Sequence, residues 1–242
     1  EIRKQNPDFI KLCLNERLSA EISLQPIKRF DLDAVIIFSD ILMVPYGLGQ
    51  KVEFKKGIGP ILGDLNFNVI LNTKPNDFVE KLSPIYQAIK RVKKNIRDKN
   101  LIGFVGAPWT LLMYMLNKKS PKNNFNINEI IKKKSLMKDL ILKLEDIIFL
   151  HAKEQVKAGA DVIQIFDSWA GLLPKNKLSE YCYIPNSKLV QNIKLAEVAT
   201  GLGTEYVRAP RLVLQGAERE RVKGIIDAAM AVRPELVEYK SL

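Results

Sequence analysis

Residues 33–40, DAVIIFSD, decide how the rest of the sequence is read. After Asp33 the run is apolar up to Phe38, with β-branched Val35, Ile36 and Ile37 at its centre. A run this short and continuous suits a strand covered on both faces, as in a parallel sheet. Two later runs share its character: residues 101–105, LIGFV, and residues 161–165, DVIQI. Helical spacing fills the intervals. Residues 7–23 put Phe9, Leu12, Cys13 and Leu18 on one helix face, 78–97 read as an amphipathic helix and 128–158 as a long helix. Residues 107–117 form a helix with Pro108 in its first turn, where a missing N–H does no harm. Val52–Phe54 predicts a small hairpin strand, and 118–127, KKSPKNNFNI, a polar loop. Residues 175–194 read as helical with a break near Pro185, and 218–232 as a last helix before Pro234. Short strands alternating with long helices predict an α/β fold of the (β/α)8 TIM-barrel type. Three clear strands, and a fourth at most, are too few to close such a barrel, so the barrel is expected to be incomplete as given.

Composition narrows the function classes. The chain has 242 residues, 47% of them hydrophobic and 27% charged, which suits a packed globular protein and not a disordered one. No apolar run reaches the roughly 18 residues of a membrane span. The opening EIRKQNPDFI has no apolar signal core and no initiating Met, so the sequence reads as starting inside a longer one, with a cytoplasmic location. Two distant cysteines, Cys13 and Cys182, make neither a CxxC nor a disulfide framework, which fits a reducing compartment. His151 is the single histidine, so a His- and Cys-ligated zinc site is nearly excluded, and a Ser-His-Asp triad would have to use that residue. It reads as a helix-face residue. The net charge of +11 favours anionic partners, and a Lys-rich solvated surface accounts for it equally well. Lys132–Lys134 and Lys118–Lys119 have no interleaved aromatics, so they are read as solvated and nucleic acid is not an expected partner.

In barrels of this type, chemistry sits at the C-terminal ends of strands. After the first strand stands Asp40, able to accept N–H donors from a ligand, to serve as acid or base, or merely to cap a turn. After the second come Gly106, which permits close approach of backbone to a ligand, and the helix carrying Trp109 and Tyr114. Tyr114 either points its hydroxyl toward the strand ends or packs the helix on the sheet. After the third come Asp167, Ser168 and Trp169, a carboxylate, a hydroxyl and an aromatic in one loop.

Four stretches resemble the uroporphyrinogen decarboxylase family in order and spacing: residues 24–49, LQPIKRFDLDAVIIFSDILMVPYGLG; 57–60, GIGP; 103–115, GFVGAPWTLLMYM; and 158–173, AGADVIQIFDSWAGLL. The resemblance covers residues 1 to about 194. It implies a (β/α)8 barrel, usually a homodimer, that removes carboxyl groups from the four acetate arms of uroporphyrinogen to give coproporphyrinogen, with no metal or organic cofactor. By motif, Asp40 resembles the family's central aspartate, which contacts the pyrrole N–H groups. Tyr114 and Ser168 resemble its substrate-contacting tyrosine and serine, and Arg3 a substrate-side arginine. The family's Arg-Gln-Ala-Gly-Arg signature and its late histidine have no counterpart, so this chain is expected to turn over weakly or not at all.

Residues 201–242 differ in composition. They contain no Asn, and Arg outnumbers Lys. Residues 206–234, YVRAPRLVLQGAERERVKGIIDAAMAVRP, resemble the last segment of dihydrodipicolinate synthase-like aldolases, and no aldolase site is carried over. Two segments are therefore expected, 1–194 as a partial decarboxylase-like barrel and 195–242 of different origin, joined near 194–204. The alternative functions are a cobalamin-linked methyltransferase of the same superfamily, for which the resemblance would require a zinc cluster not seen here, and a non-catalytic basic binding fragment.

Overall fold

The computed structural model describes residues 2–96, 98–118, 134–199 and 216–231. The chain divides into two compact units, Glu1–Asn186 and Ser187–Leu242. The first contains a parallel sheet of three strands, β1 (Ala34–Ile36), β4 (Asn100–Gly106) and β5 (Val162–Phe166), in the order β1-β4-β5. Val35 pairs with Leu101, and Val105 with Ile165. An antiparallel hairpin, β2 (Val52–Lys55) and β3 (Gly59–Leu62), lies outside that sheet. The three parallel strands are those read from the sequence. With the connecting helices they make a TIM-barrel-like α/β fold, partial and not closed.

Helices α6 (Pro75–Lys93) and α8 (Lys134–Lys157) build the core. On α6, Phe78, Leu82, Ile85, Ile89 and Val92 recur every three or four residues, and each is buried. On α8 the buried face runs through Leu140, Leu144, Ile147, Ile148 and His151. His151 Nδ1 lies 2.9 Å from the Tyr86 hydroxyl, inside this layer. Burial alone lowers its pKa to about 4, so the imidazole is neutral at physiological pH. The backbone of β4 is held from behind by Gln155 of α8, which donates to Phe104 O at 2.9 Å and accepts from Phe104 N at 3.0 Å. Gly103 makes room for it: a Cβ there would stand 2.5 Å from Gln155 Oε1.

Several local expectations change. The helix read over 7–23 is two helices, α2 (Phe9–Cys13) and α3 (Glu16–Arg29), following the short α1 (Ile2–Gln5). Asn15 causes the break: its side chain accepts from Arg17 N and Leu18 N and so starts a new helix. Two short helices, α4 (Met43–Gly47) and α5 (Phe67–Asn72), follow β1 and the hairpin. Strand β5 is not covered on both faces. Val162 and Phe166 are 48% and 40% exposed, and Ile36 of β1, on the same face of the sheet, is 56% exposed. The other face, with Val35, Leu101 and Val105, is packed against helices. A barrel strand is buried on both sides only when the remaining strands close the interior, and three strands leave that face open.

The helix after Ala107 is α7 (Pro108–Asn117), as read. The break near Pro185 is a π-helical turn, Ser179–Tyr183, leading into α9 (Ile184–Ala199). The last described helix, α10 (Gly216–Ala231), agrees with the sequence reading apart from Val232, which lies outside the described residues. Also outside them are Arg97, the loop over 119–127, residues 128–133 of the long helix with Lys132 and Lys133, and 200–215 and 232–242 of the tail.

Candidate functional site at the strand ends

Because the sheet is parallel, the C-terminal ends of β1, β4 and β5 open on one side, and Asp40, Tyr114 and Ser168 follow them in that order. The end of β1 is fixed by two serines of α3. Ser19 Oγ donates to Phe38 O at 2.6 Å, and Phe38 N donates to Ser23 Oγ at 2.7 Å. Both serines are buried, so these bonds are protected from water. They hold the backbone one residue before the Ser39-Asp40 pair.

Asp40 Oδ1 accepts from Leu42 N at 2.8 Å, the turn-capping bond. Oδ2 makes no hydrogen bond among the described residues. Burial pushes the Asp40 carboxyl up from 3.8 to about 6, and the Leu42 N–H pulls the other way. A carboxylate held this way gains from a cationic or N–H-rich partner supplied by a ligand.

Arg3 is brought to the same side. Its guanidinium donates to Asn6 O and Pro7 O, each at 2.9 Å, and lies 4.8 Å from the Phe9 ring centroid. Phe9 in turn meets Phe38 edge-on at 5.6 Å, next to the Ser39-Asp40 pair. Cys13 lies within reach of both charges. Burial, then Asp40, raise its thiol to about 12, against a lowering by Arg3.

Tyr114 and the Ser168 loop form a second group. The Tyr114 and Trp169 rings meet edge-on at 5.8 Å. Thr110, fully buried on α7, donates to Asp167 Oδ1 at 2.7 Å and accepts from Trp169 N at 3.1 Å. Trp109 Nε1 donates to Trp169 O at 3.0 Å, and Asn186 Nδ2 donates to Asp167 Oδ2 at 2.9 Å. Asp167 also bonds the Cys182 thiol, which burial and this carboxylate raise to about 12. Among the described residues, neither the Tyr114 hydroxyl nor the Ser168 hydroxyl makes a hydrogen bond. Ser39 Oγ and Trp169 Nε1, in the strand-end segments, and Asn186 Oδ1, on α9, are buried without a protein partner. Unmatched buried polar atoms cost about 1–3 kcal/mol each and collect where function requires them.

Packing requires a glycine at 106: a Cβ there would stand 2.7 Å from Leu111 Cδ2 and 3.1 Å from Ile41 Cβ. Sequence reasoning missed Ser19, Ser23, Thr110 and Asn186 as supports of the site. Their bonds to the strand-end segments reach 15 to 59 residues along the chain and leave no local pattern. Among the described residues no group of three or more His, Cys, Asp or Glu is placed to hold a metal ion, and no helix is long and apolar enough to cross a membrane.

Residues 1–202 match the family model described as uroporphyrinogen decarboxylase (URO-D). The chain is 38% identical over 196 residues to a uroporphyrinogen decarboxylase of Rickettsia bellii, and 43% identical over 202 residues to that of Orientia tsutsugamushi. In each case the match takes in 80% of this chain and 57% of the relative, so the chain spans under two thirds of these relatives' length. Among solved structures, a methyltransferase from Methanosarcina mazei superposes with a TM-score of 0.61 at 18% identity, covering 79% of this chain and 62% of that one, a likeness of fold. The chain belongs to the uroporphyrinogen decarboxylase family.

Proposed function

We propose that the strand-end site binds uroporphyrinogen and serves its stepwise decarboxylation to coproporphyrinogen, with no metal or organic cofactor. The observation that carries this reading is Asp40, a partly buried carboxylate at the end of the first strand, raised to about 6 and with one oxygen uncommitted. Near neutral pH it is mostly ionised at an energetic cost, and a ligand that brings N–H donors to Oδ2 offsets that cost.

The chemistry needs such a group. An acetate arm on a pyrrole loses CO2 only when the ring accepts the electron pair of the breaking C–C bond. Protonation at the adjacent ring carbon makes the ring an iminium-like cation that accepts it. CO2 leaves to give an exocyclic methylene, a proton added at that carbon completes the methyl group, and the ring carbon gives up its extra proton to restore the pyrrole. Each arm thus exchanges one carboxylate for one proton. Asp40, set against the pyrrole N–H groups, stabilises the positive charge in the transition state, worth about 3 kcal/mol for one well-placed group. Arg3 pairs with a side-chain carboxylate. The uncommitted hydroxyls of Tyr114 and Ser168 donate to others and fix which arm faces the reacting position. A homodimer in a reducing cytoplasm, without nucleic acid, belongs to the same reading. Its support is the family membership and the two free, buried cysteines.

The test is an anaerobic titration of the 242-residue chain with uroporphyrinogen, followed by tryptophan emission. Saturable quenching that weakens about tenfold or more in Asp40→Asn is expected. No binding by the unmodified chain, or equal binding by Asp40→Asn, would overturn the proposal.

A further inference from the structure

The loop carrying Ser168 is not held by its own turn alone. Asp167 and Trp169, the residues on either side of Ser168, are both tied to one hydroxyl, Thr110 Oγ1, which donates to the first side chain and accepts from the backbone of the second. Trp109 Nε1 adds a bond to Trp169 O. Thr110 and Tyr114 are four residues apart on α7, so they share a face of that helix. The Trp169 ring meets Tyr114 edge-on. A buried hydroxyl thus fixes the position of Ser168 relative to Tyr114.

We infer that Thr110 and Asp167 are positioning residues of the substrate site: their hydrogen bond sets the spacing of the Ser168 and Tyr114 hydroxyls, and through it the fit of a polycarboxylate ligand. The inference rests on the proposed binding of uroporphyrinogen, and touches neither Asp40 nor Arg3. Geometry matters here because two hydroxyls recognise two carboxylates on a semi-rigid macrocycle only at the right separation, and an ångström of drift loses one of the two bonds. The bond is shielded, since Thr110 is fully buried, so water does not substitute for it.

Thr110→Val keeps the shape and removes the hydroxyl; Thr110→Ser keeps the hydroxyl. Two readouts are taken on the 242-residue chain. The first is acrylamide quenching of tryptophan emission without ligand. Trp109 is fully buried, so a rise in quenching reports Trp169. The second is anaerobic uroporphyrinogen binding. Thr110→Val is expected to raise quenching at least twofold and to weaken binding about tenfold, while Thr110→Ser stays within twofold of the unmodified protein in both. Should Thr110→Val fail to fold, Asp167→Asn, which retains an acceptor for Thr110 but weakens it, is expected to give a smaller shift of the same sign. Unchanged quenching in Thr110→Val overturns the clamp whatever the ligand. Full binding by Thr110→Val overturns its role in recognition and leaves the uroporphyrinogen reading intact. Failure of the unmodified chain to bind, with quenching raised in Thr110→Val, overturns the functional reading and removes the substrate role of the clamp with it.

Discussion

Asp40→Asn is expected to stabilise the protein while removing its proposed function. The folded state holds the Asp40 carboxyl at about 6, against an ordinary value of 3.8. Because the folded pKa is the higher one, the native state binds this proton more tightly than the unfolded chain does. The resulting stability is fully present below pH 3.8 and is lost as pH rises through 6. Each pKa unit corresponds to about 1.4 kcal/mol, so at pH 7.5 the ionised Asp40 costs up to about 3 kcal/mol relative to acid conditions. Asn has no proton to lose, and its Oδ1 still accepts from Leu42 N. The variant should therefore match the parent near pH 4, pull ahead between pH 4 and 6, and lead by about 2–3 kcal/mol at pH 7.5. Urea unfolding at pH 4, 5.5 and 7.5, followed by tryptophan emission, reads this as a difference in midpoint at constant slope. His151 titrates over the same range in both proteins and cancels in the difference. A gap independent of pH, or a variant less stable than the parent at pH 7.5, would refute the claim that burial strains this carboxylate.

Two further outcomes follow from the core. His151 is neutral when folded, with its pKa near 4, so its contribution is present above 6.5 and lost as pH falls toward 4. In the Asp40→Asn background, where the opposing trend of the carboxylate is gone, stability should fall by up to about 3 kcal/mol over that window, and His151→Gln should flatten the curve; an unaltered acid slope in that double variant would contradict the buried Tyr86–His151 pair. Gly103→Ala should lower the urea midpoint by the equivalent of about 2–4 kcal/mol, because its Cβ displaces the Gln155 amide from both backbone groups of Phe104, and an unchanged midpoint would show that Gln155 moves aside at no cost.

The sheet was legible because each parallel strand is a short apolar run with nothing else to be: too short for a helix and bounded by turns. What the sequence could not show is which face stays open. In Val162-Ile163-Gln164-Ile165-Phe166, apolar residues occupy both faces, and only the strand count decides that Val162 and Phe166 remain exposed. The break at Asn15 was hidden because the apolar phase runs on across it, and Asn becomes a cap only when its own dihedrals leave the helix. At the site, Asp40 and Ser168 could be placed because they stand just after strands, and Tyr114 because it lies on the helix that follows one. Arg3 was placed by the resemblance alone. The supporting residues were out of reach for another reason: Ser19, Ser23 and Thr110 sit within helices where Ser and Thr are unremarkable, and their partners are distant in sequence. His151 was read on a helix face, and that face proves to be the buried one.

The central claim is that Asp40 receives the pyrrole N–H groups of a reduced tetrapyrrole. The most direct measurement compares uroporphyrinogen, with four pyrrole N–H groups, and its oxidised, planar form uroporphyrin, with two, by anaerobic calorimetric titration into the parent chain and into Asp40→Asn. The carboxylates of the two ligands are the same, so Arg3 and the hydroxyls contribute similarly to both. The account predicts tighter binding of the reduced form by the parent, by tenfold or more, and a preference that collapses in the variant although the variant is the more stable protein. A preference that survives Asp40→Asn, or none in the parent, would contradict it.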